Sequence, residues 1–281
     1  MGKVGSTAIT QSLDRVGVPC LQTHAVGRQA LCRSLKFFLN QHTDLNRIYQ
    51  EQHLFRDQLI ATKLLEQSQA ANADKLRIIT LSREPVDRWF SALLQNYPFH
   101  LMSARQFLRS ETGKEEDELE CFSYACGRLL SIARGKVMPL APQKLFHKYW
   151  RSRMVRNPEA DFHVKQIGSE LILPLTWFIT QFQRPIGVNL FDVDVSSGIA
   201  VTEQAGTRVL LLKYEVLRDH PAMAQQSISE FVDTAVVLSK SNVSSEKTSF
   251  DVIQALRARF EAEFRASRLV QSSLYCQHFG Y

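Results

Sequence analysis

The sequence predicts an α/β fold with a central parallel sheet flanked by helices. Two short apolar, β-branched runs, Leu76–Ser82 and Arg208–Tyr214, read as buried strands. Stretches of helical periodicity separate the strand candidates, and strands alternating with helices favour parallel pairing. A helix-rich region at about 101–185 then reads as an insertion within a single domain spanning residues 1–281.

The elements follow in order. Met1-Gly-Lys-Val-Gly-Ser-Thr7 is a glycine-bearing loop that runs into an amphipathic helix, with Ile9, Leu13 and Val16 at helical spacing. Gly17 closes that helix, and Pro19–Val26 reads as a short strand. From Gly27 to about Ala73 the pattern is helical, with Leu31, Leu35, Phe38 and Leu39 on one face and a break near Asn40–Asp44. Leu76–Ser82 is the clearest strand, and Pro85 suits the first turn of the helix through Asp87, Arg88, Phe90 and Leu94. Helices fill 101–150 with a break at Gly135–Pro142, and Leu171–Phe182 is helical again. Asn189–Val195 and Gly198–Glu203 read as a hairpin around Ser196-Ser197. Helices at about Pro221–Val237 and Phe250–Ala266 follow the second buried strand.

Composition narrows the class. A hydrophobic content of 44% suffices for a sizeable core, and no apolar run approaches the roughly 18 residues of a membrane span. Five cysteines without C-x-x-C spacing favour reduced thiols in a cytoplasmic protein over disulfides or a zinc site. The net charge is +6, and Cys121–Pro158 is basic and free of acidic residues, behind an acid-rich Glu111–Glu120. Such blocks usually mark solvated faces; the functional alternative is attraction of an anionic cofactor or polysaccharide. No recognised nucleic-acid motif is present.

Two segments carry candidate chemistry. In the opening loop Gly2 and Gly5 permit tight backbone, Lys3 brings positive charge, and Ser6 and Thr7 bring hydroxyls at a helix start whose free N–H groups favour anions. Lys3 precedes Gly5, so this is not the nucleotide-triphosphate pattern G-x-x-x-x-G-K-[ST]. A plain helix cap by Ser6 or Thr7 explains the same residues. The Met1-Gly2 start also fits a myristoylation pattern, but no polybasic segment adjoins it. Anion loops normally follow a buried strand and none precedes Met1, so the loop reading implies that the first strand of the sheet is missing from this chain. The second segment is Ser82-Arg-Glu-Pro-Val-Asp-Arg-Trp-Phe-Ser91. It sets Arg83 at the carboxyl end of a strand, where open α/β sheets bind ligands, and Ser91 in the following helix. The alternatives are an arginine capping the sheet edge and a serine bonded within its own helix.

Together these segments resemble the sulfotransferase superfamily, which uses 3′-phosphoadenosine 5′-phosphosulfate (PAPS). Lys3-Val-Gly-Ser-Thr7 is similar to its K-x-G-S/T-T loop for the 5′-phosphosulfate. Arg83, Pro85, Arg88 and Ser91 match its R-x-P-x-x-R-x-x-S segment, in which Arg83 and Ser91 are the expected 3′-phosphate contacts. Trp177-Phe178, Gly187–Phe191 and Ser273–Phe279 resemble the W-F-D-x-E-x-K, G-I-D-V-Y and S-x-Y-x-x-H-F stretches of the bacterial capsular polysaccharide synthesis branch. Leu210–Leu217 resembles the L-x-x-R-Y-E-x-L strand of carbohydrate sulfotransferases. Ile179, Gln181 and Gln183 depart from the acidic and lysine positions of the first stretch, and Thr248 stands where N-K-W has tryptophan.

The resemblance implies a P-loop-like, sulfotransferase-like sheet and a metal-free transfer of a sulfuryl group from PAPS to a hydroxyl of a carbohydrate or polysaccharide acceptor. Lys3, Gly5, Ser6 and Thr7 would hold the phosphosulfate, with Lys3 neutralising the leaving oxygen. Arg83, Ser91 and Lys247 would hold the 3′-phosphate, and His24 is the candidate general base. The implied place is the cytoplasm, up to its inner-membrane surface. The competing readings are a truncated or degenerate non-catalytic relative and a nucleotide-dependent kinase. The kinase lacks the expected lysine spacing and a clear magnesium-binding aspartate.

Overall fold

The computed structural model describes residues 6–23, 25–32, 35, 45–68, 76–135, 158–204, 206–238 and 249–281. Its elements in chain order are α1 (Ser6–Arg15), α2 (Leu45–Ser68), β1 (Leu76–Ser82), α3 (Pro85–Gln95), α4 (Tyr97–Thr112), α5 (Glu118–Gly135) and α6 (Pro158–Phe178). A π-helical turn at Ile179–Gln183 follows, then β2 (Ile199–Gln204), β3 (Thr207–Lys213), α7 (Tyr214–Asp219), α8 (Pro221–Val232), α9 (Phe250–Arg265), α10 (Arg268–Gln271) and α11 (Leu274–Phe279). The class is mixed α/β and mostly helical. The described residues gather into two compact units, Met1–Arg83 with Trp177–Ser241, and Glu84–Thr176 with Asn242–Tyr281.

The first unit is built on a three-stranded sheet of order β1-β3-β2. β1 pairs parallel to β3 from Leu76↔Thr207 to Ser82↔Lys213. β2 pairs antiparallel to β3, so the sheet is mixed where the sequence predicts a parallel one. Val209 to Leu212 are 0–1% exposed, so β3 is covered on both faces, as a continuous apolar run requires. Each such side chain contributes about 1.5–3 kcal/mol by leaving water.

The hairpin differs from the expected one. Ile199–Gln204 turns at Gly206 and pairs with β3, while the predicted partner strand Asn189–Val195 does not form. Local polar chemistry explains this. Asn189 Oδ1 accepts from the Phe191 amide at 3.3 Å and Asn189 Nδ2 donates to Asp192 at 2.8 Å, which winds Leu190–Asp192 into a 3₁₀ turn. The predicted strand Pro19–Val26 is also not one. Its described residues take no regular secondary structure and are tied to α1, with Gln22 Nε2 donating to Ser6 Oγ at 2.8 Å. The helix expected to Val237 stops at Val232, because Asp233 turns left-handed at φ 56°. At Gly27, φ is +90° and a Cβ would lie 2.7 Å from Pro185 Cβ, so only glycine admits that approach.

The second unit is helical. Trp89 is fully buried, its indole donates to the Ile167 carbonyl at 3.0 Å, and Phe264 meets it edge-on at 4.6 Å between centroids. Pro85 stands in the first turn of α3, and Glu84 caps that helix by accepting from the amides of Val86 and Asp87 at 3.1 and 2.6 Å. At the C-terminus Ser273 caps α11 through the Cys276 amide at 3.1 Å, and Tyr275 and Phe279 pack against each other in the core. The S-x-Y-x-x-H-F pattern therefore has a local folding role. Within the opposed charge blocks, Arg128 pairs with Glu111 at 3.2 Å, Arg134 with Glu263, and Glu120 with Arg259 at 3.1 Å. Those described charges lie in ion pairs; Lys136 to Arg156 lie outside the described residues.

Candidate functional site

The parallel pairing of β1 with β3 ends with Ser82 opposite Lys213, which brings two of the sequence segments to one sheet edge. The chain leaves β1 at Arg83, and Tyr214 opens α7 directly after β3. The Arg83 guanidinium carbon lies 4.4 Å from the centroid of the Tyr214 ring. Arg83 is 8% exposed, so the ring holds a nearly buried cation at the carboxyl edge of the sheet. An aromatic face attracts such a cation through its quadrupole.

Gly198 sets the floor of this edge. Its carbonyl accepts from the Lys213 amide at 2.8 Å. Its φ is +79°, and a Cβ there would lie 2.4 Å from Val216 Cγ2 and 3.7 Å from Lys213 Cδ. Glycine thus lets the β2 entry lie against the end of β3.

The remaining sequence candidates divide. Ser6 and Thr7 form the first turn of α1 in the same unit. The Ser6 hydroxyl accepts from Gln22, and its carbonyl accepts from Thr10 Oγ1 at 3.1 Å. Lys3, Gly5, His24 and Lys247 lie outside the described residues. Ser91 lies in α3 and belongs with the helical unit, half-buried. Arg88, from the same segment, turns inward: it is 2% exposed, donates to the Glu170 carbonyl at 2.7 Å and meets the Glu170 carboxylate at 3.2 Å. Its place in the pattern is accounted for by packing.

Titration behaviour removes some alternatives. Burial pushes the Cys126 thiol up to about 12. Burial also raises Cys276 to about 11, with the Ser273 hydrogen bond opposing it and Glu84 adding to it. Both thiols are buried, and the upward shift disfavours the reactive thiolate. Burial raises the Glu84 carboxyl above its ordinary range, opposed by the Asp87 amide, Arg265 and the Val86 amide. Among the described residues no group of three His, Cys, Asp or Glu side chains could hold a metal ion. None of the described helices is long and apolar enough to cross a membrane.

Tyr214, Gly198 and Gln22 were not among the sequence candidates. Tyr214 was visible within Leu210–Leu217, but its role as a platform depends on the strand register, which no local pattern contains. A scan against protein-family models, a search of curated proteins and a search of solved structures each find no match to this chain.

Proposed function

We propose that this chain is a sulfotransferase that moves a sulfuryl group from PAPS to a hydroxyl of a carbohydrate or polysaccharide acceptor. The observation that carries the reading is Arg83, held over Tyr214 at the carboxyl end of paired parallel strands. That is where an α/β sheet offers an anion site, and it is the residue that the resemblance assigns to the 3′-phosphate. The sheet would be part of a P-loop-like parallel arrangement, and the protein would act in the cytoplasm.

In this reading Lys3, Gly5, Ser6 and Thr7 receive the 5′-phosphosulfate, and Ser91 and Lys247 join Arg83 on the 3′-phosphate. The bond from sulfur to the bridging phosphate oxygen breaks as a bond from sulfur to the acceptor oxygen forms. The acceptor proton passes to His24, and 3′-phosphoadenosine 5′-phosphate (PAP) departs with the bridging electrons. Rate enhancement in such a transfer comes from positioning and charge neutralisation.

Calorimetric titration with PAP, beside ATP, tests it. PAP should bind more tightly than ATP. Arg83→Ala and Lys3→Ala should each weaken PAP by about tenfold or more, the loss of one charged hydrogen-bonding partner. A folded protein that ignores PAP would sink the enzymatic reading and leave a non-catalytic relative as the better account. ATP preferred over PAP would favour the kinase.

A further inference from the structure

The parallel register of β1 and β3 runs unbroken to Ser82 and Lys213. Arg83 and Tyr214 follow that last pair, one on each chain, so their side chains leave the sheet at the same level. Neighbouring strands lie about 4.8 Å apart, and the Arg83 guanidinium carbon stands 4.4 Å from the Tyr214 ring centroid. The contact is therefore a product of the register. It sets a cation one strand spacing away from an aromatic face.

The two partners are not equally fixed. Tyr214 comes off β3, the central strand, which pairs on both sides and whose Val209 to Leu212 are 0–1% exposed. Immediately before it, the Lys213 amide donates to the Gly198 carbonyl at 2.8 Å. Arg83 comes off β1, which pairs on one side only among the described strands. An arginine side chain also has more rotamer freedom to lose than a tyrosine. The ring on the better-held strand thus decides where the guanidinium stands. Contact with a ring face orients the guanidinium without taking up the fork of in-plane N–H donors that pairs with a phosphate.

We propose that Tyr214 sets the selectivity for a 3′-phosphorylated adenine nucleotide, as a positioning residue that acts through Arg83. The inference rests on the reading of Arg83 as the 3′-phosphate contact. The ring face carries the effect and the hydroxyl does not, because the guanidinium carbon lies over the ring. Without the ring, the ligand itself must order the Arg83 side chain, and that cost weakens binding of the 3′-phosphate. A nucleotide that lacks this phosphate makes no such demand on Arg83 and should not register the change.

Calorimetric titration of the full chain with PAP and with adenosine 5′-phosphate (AMP) tests this, the readout being the ratio of the two dissociation constants. The variants are Tyr214→Phe, Tyr214→Leu and a series of progressively fluorinated phenylalanines at position 214. Fluorination weakens the ring quadrupole at nearly constant shape, and keeps the test open if Tyr214→Leu does not fold. Thermal melting verifies the fold of each variant. The preference for PAP should stay within about twofold in Tyr214→Phe and fall about fivefold in Tyr214→Leu, the weight of one cation–π contact. It should fall stepwise along the fluorinated series, with AMP affinity constant within about twofold throughout. In an Arg83→Ala background, Tyr214→Leu should change the ratio no further. A ratio unmoved by both Tyr214→Leu and fluorination overturns the proposal. So does a Tyr214→Phe variant that loses as much as Tyr214→Leu, which would place the contact in the hydroxyl. Equal weakening of PAP and AMP also overturns it, as a packing defect would do that. Each of these leaves the parent's preference for PAP, and the sulfotransferase reading, standing; a folded parent with no preference for PAP over AMP overturns both.

Discussion

Replacing Arg88 separates the folding role of the Arg83–Ser91 segment from its ligand-binding role. Arg88 is 2% exposed and donates to the Glu170 carbonyl at 2.7 Å and its carboxylate at 3.2 Å. A hydrogen bond from a charged group to a carbonyl is worth about 1.5–3 kcal/mol. The ion pair adds less than the ~3–5 kcal/mol lost when a fully buried pair is broken, because the Glu170 side chain is 25% exposed. With the packing of the aliphatic stem, Arg88→Ala should cost about 3–4 kcal/mol, Arg88→Met about 2–3 and Arg88→Lys about 1–2.

Denaturant midpoints at constant m-value give these differences, and Glu170→Gln completes a double-mutant cycle. The coupling to Glu170→Gln should be the smaller part, since the carbonyl bond survives that change. PAP affinity of Arg88→Lys, measured where the variant is folded, should stay within about twofold of the parent. The reasoning is refuted if Arg88→Ala costs less than about 1 kcal/mol, or if Arg88→Lys keeps its stability and loses PAP binding.

Two further predictions concern the sheet unit. Gly198→Ala should cost about 1–2 kcal/mol for its left-handed backbone and about 1–3 more for the overlap with Val216. Adding Val216→Ala should recover only the second part, and a simple sum of the two single costs would contradict this. Cys20 is exposed, yet its thiol is pushed up to about 11 by burial of its sulfur, a hydrogen bond to Asp14 and that carboxylate's charge. A raised thiol pKa lowers the thiolate fraction, so alkylation near pH 8 should be slow. Asp14→Asn should move the rate–pH midpoint downward and speed alkylation several-fold, and an unchanged midpoint in the variant would show that Asp14 has no part in it.

Legibility followed locality. The run Leu76–Ser82 is a strand over the predicted residues, and Phe250–Arg265 is helical as its spacing implies. Both contain their own cause, a β-branched apolar run in one and a 3.6-residue stripe in the other. Asn189–Val195 reads as a strand by composition, but its Asn and Asp side chains bond to the local chain and win over pairing. Gly198–Glu203 was legible as a strand, and its partner was not, because pairing depends on the Gly206 turn rather than on either strand. The same limit applies at the site. Arg83 was legible from strand-then-proline, whereas Tyr214 beneath it arises from the register of strands far apart in sequence.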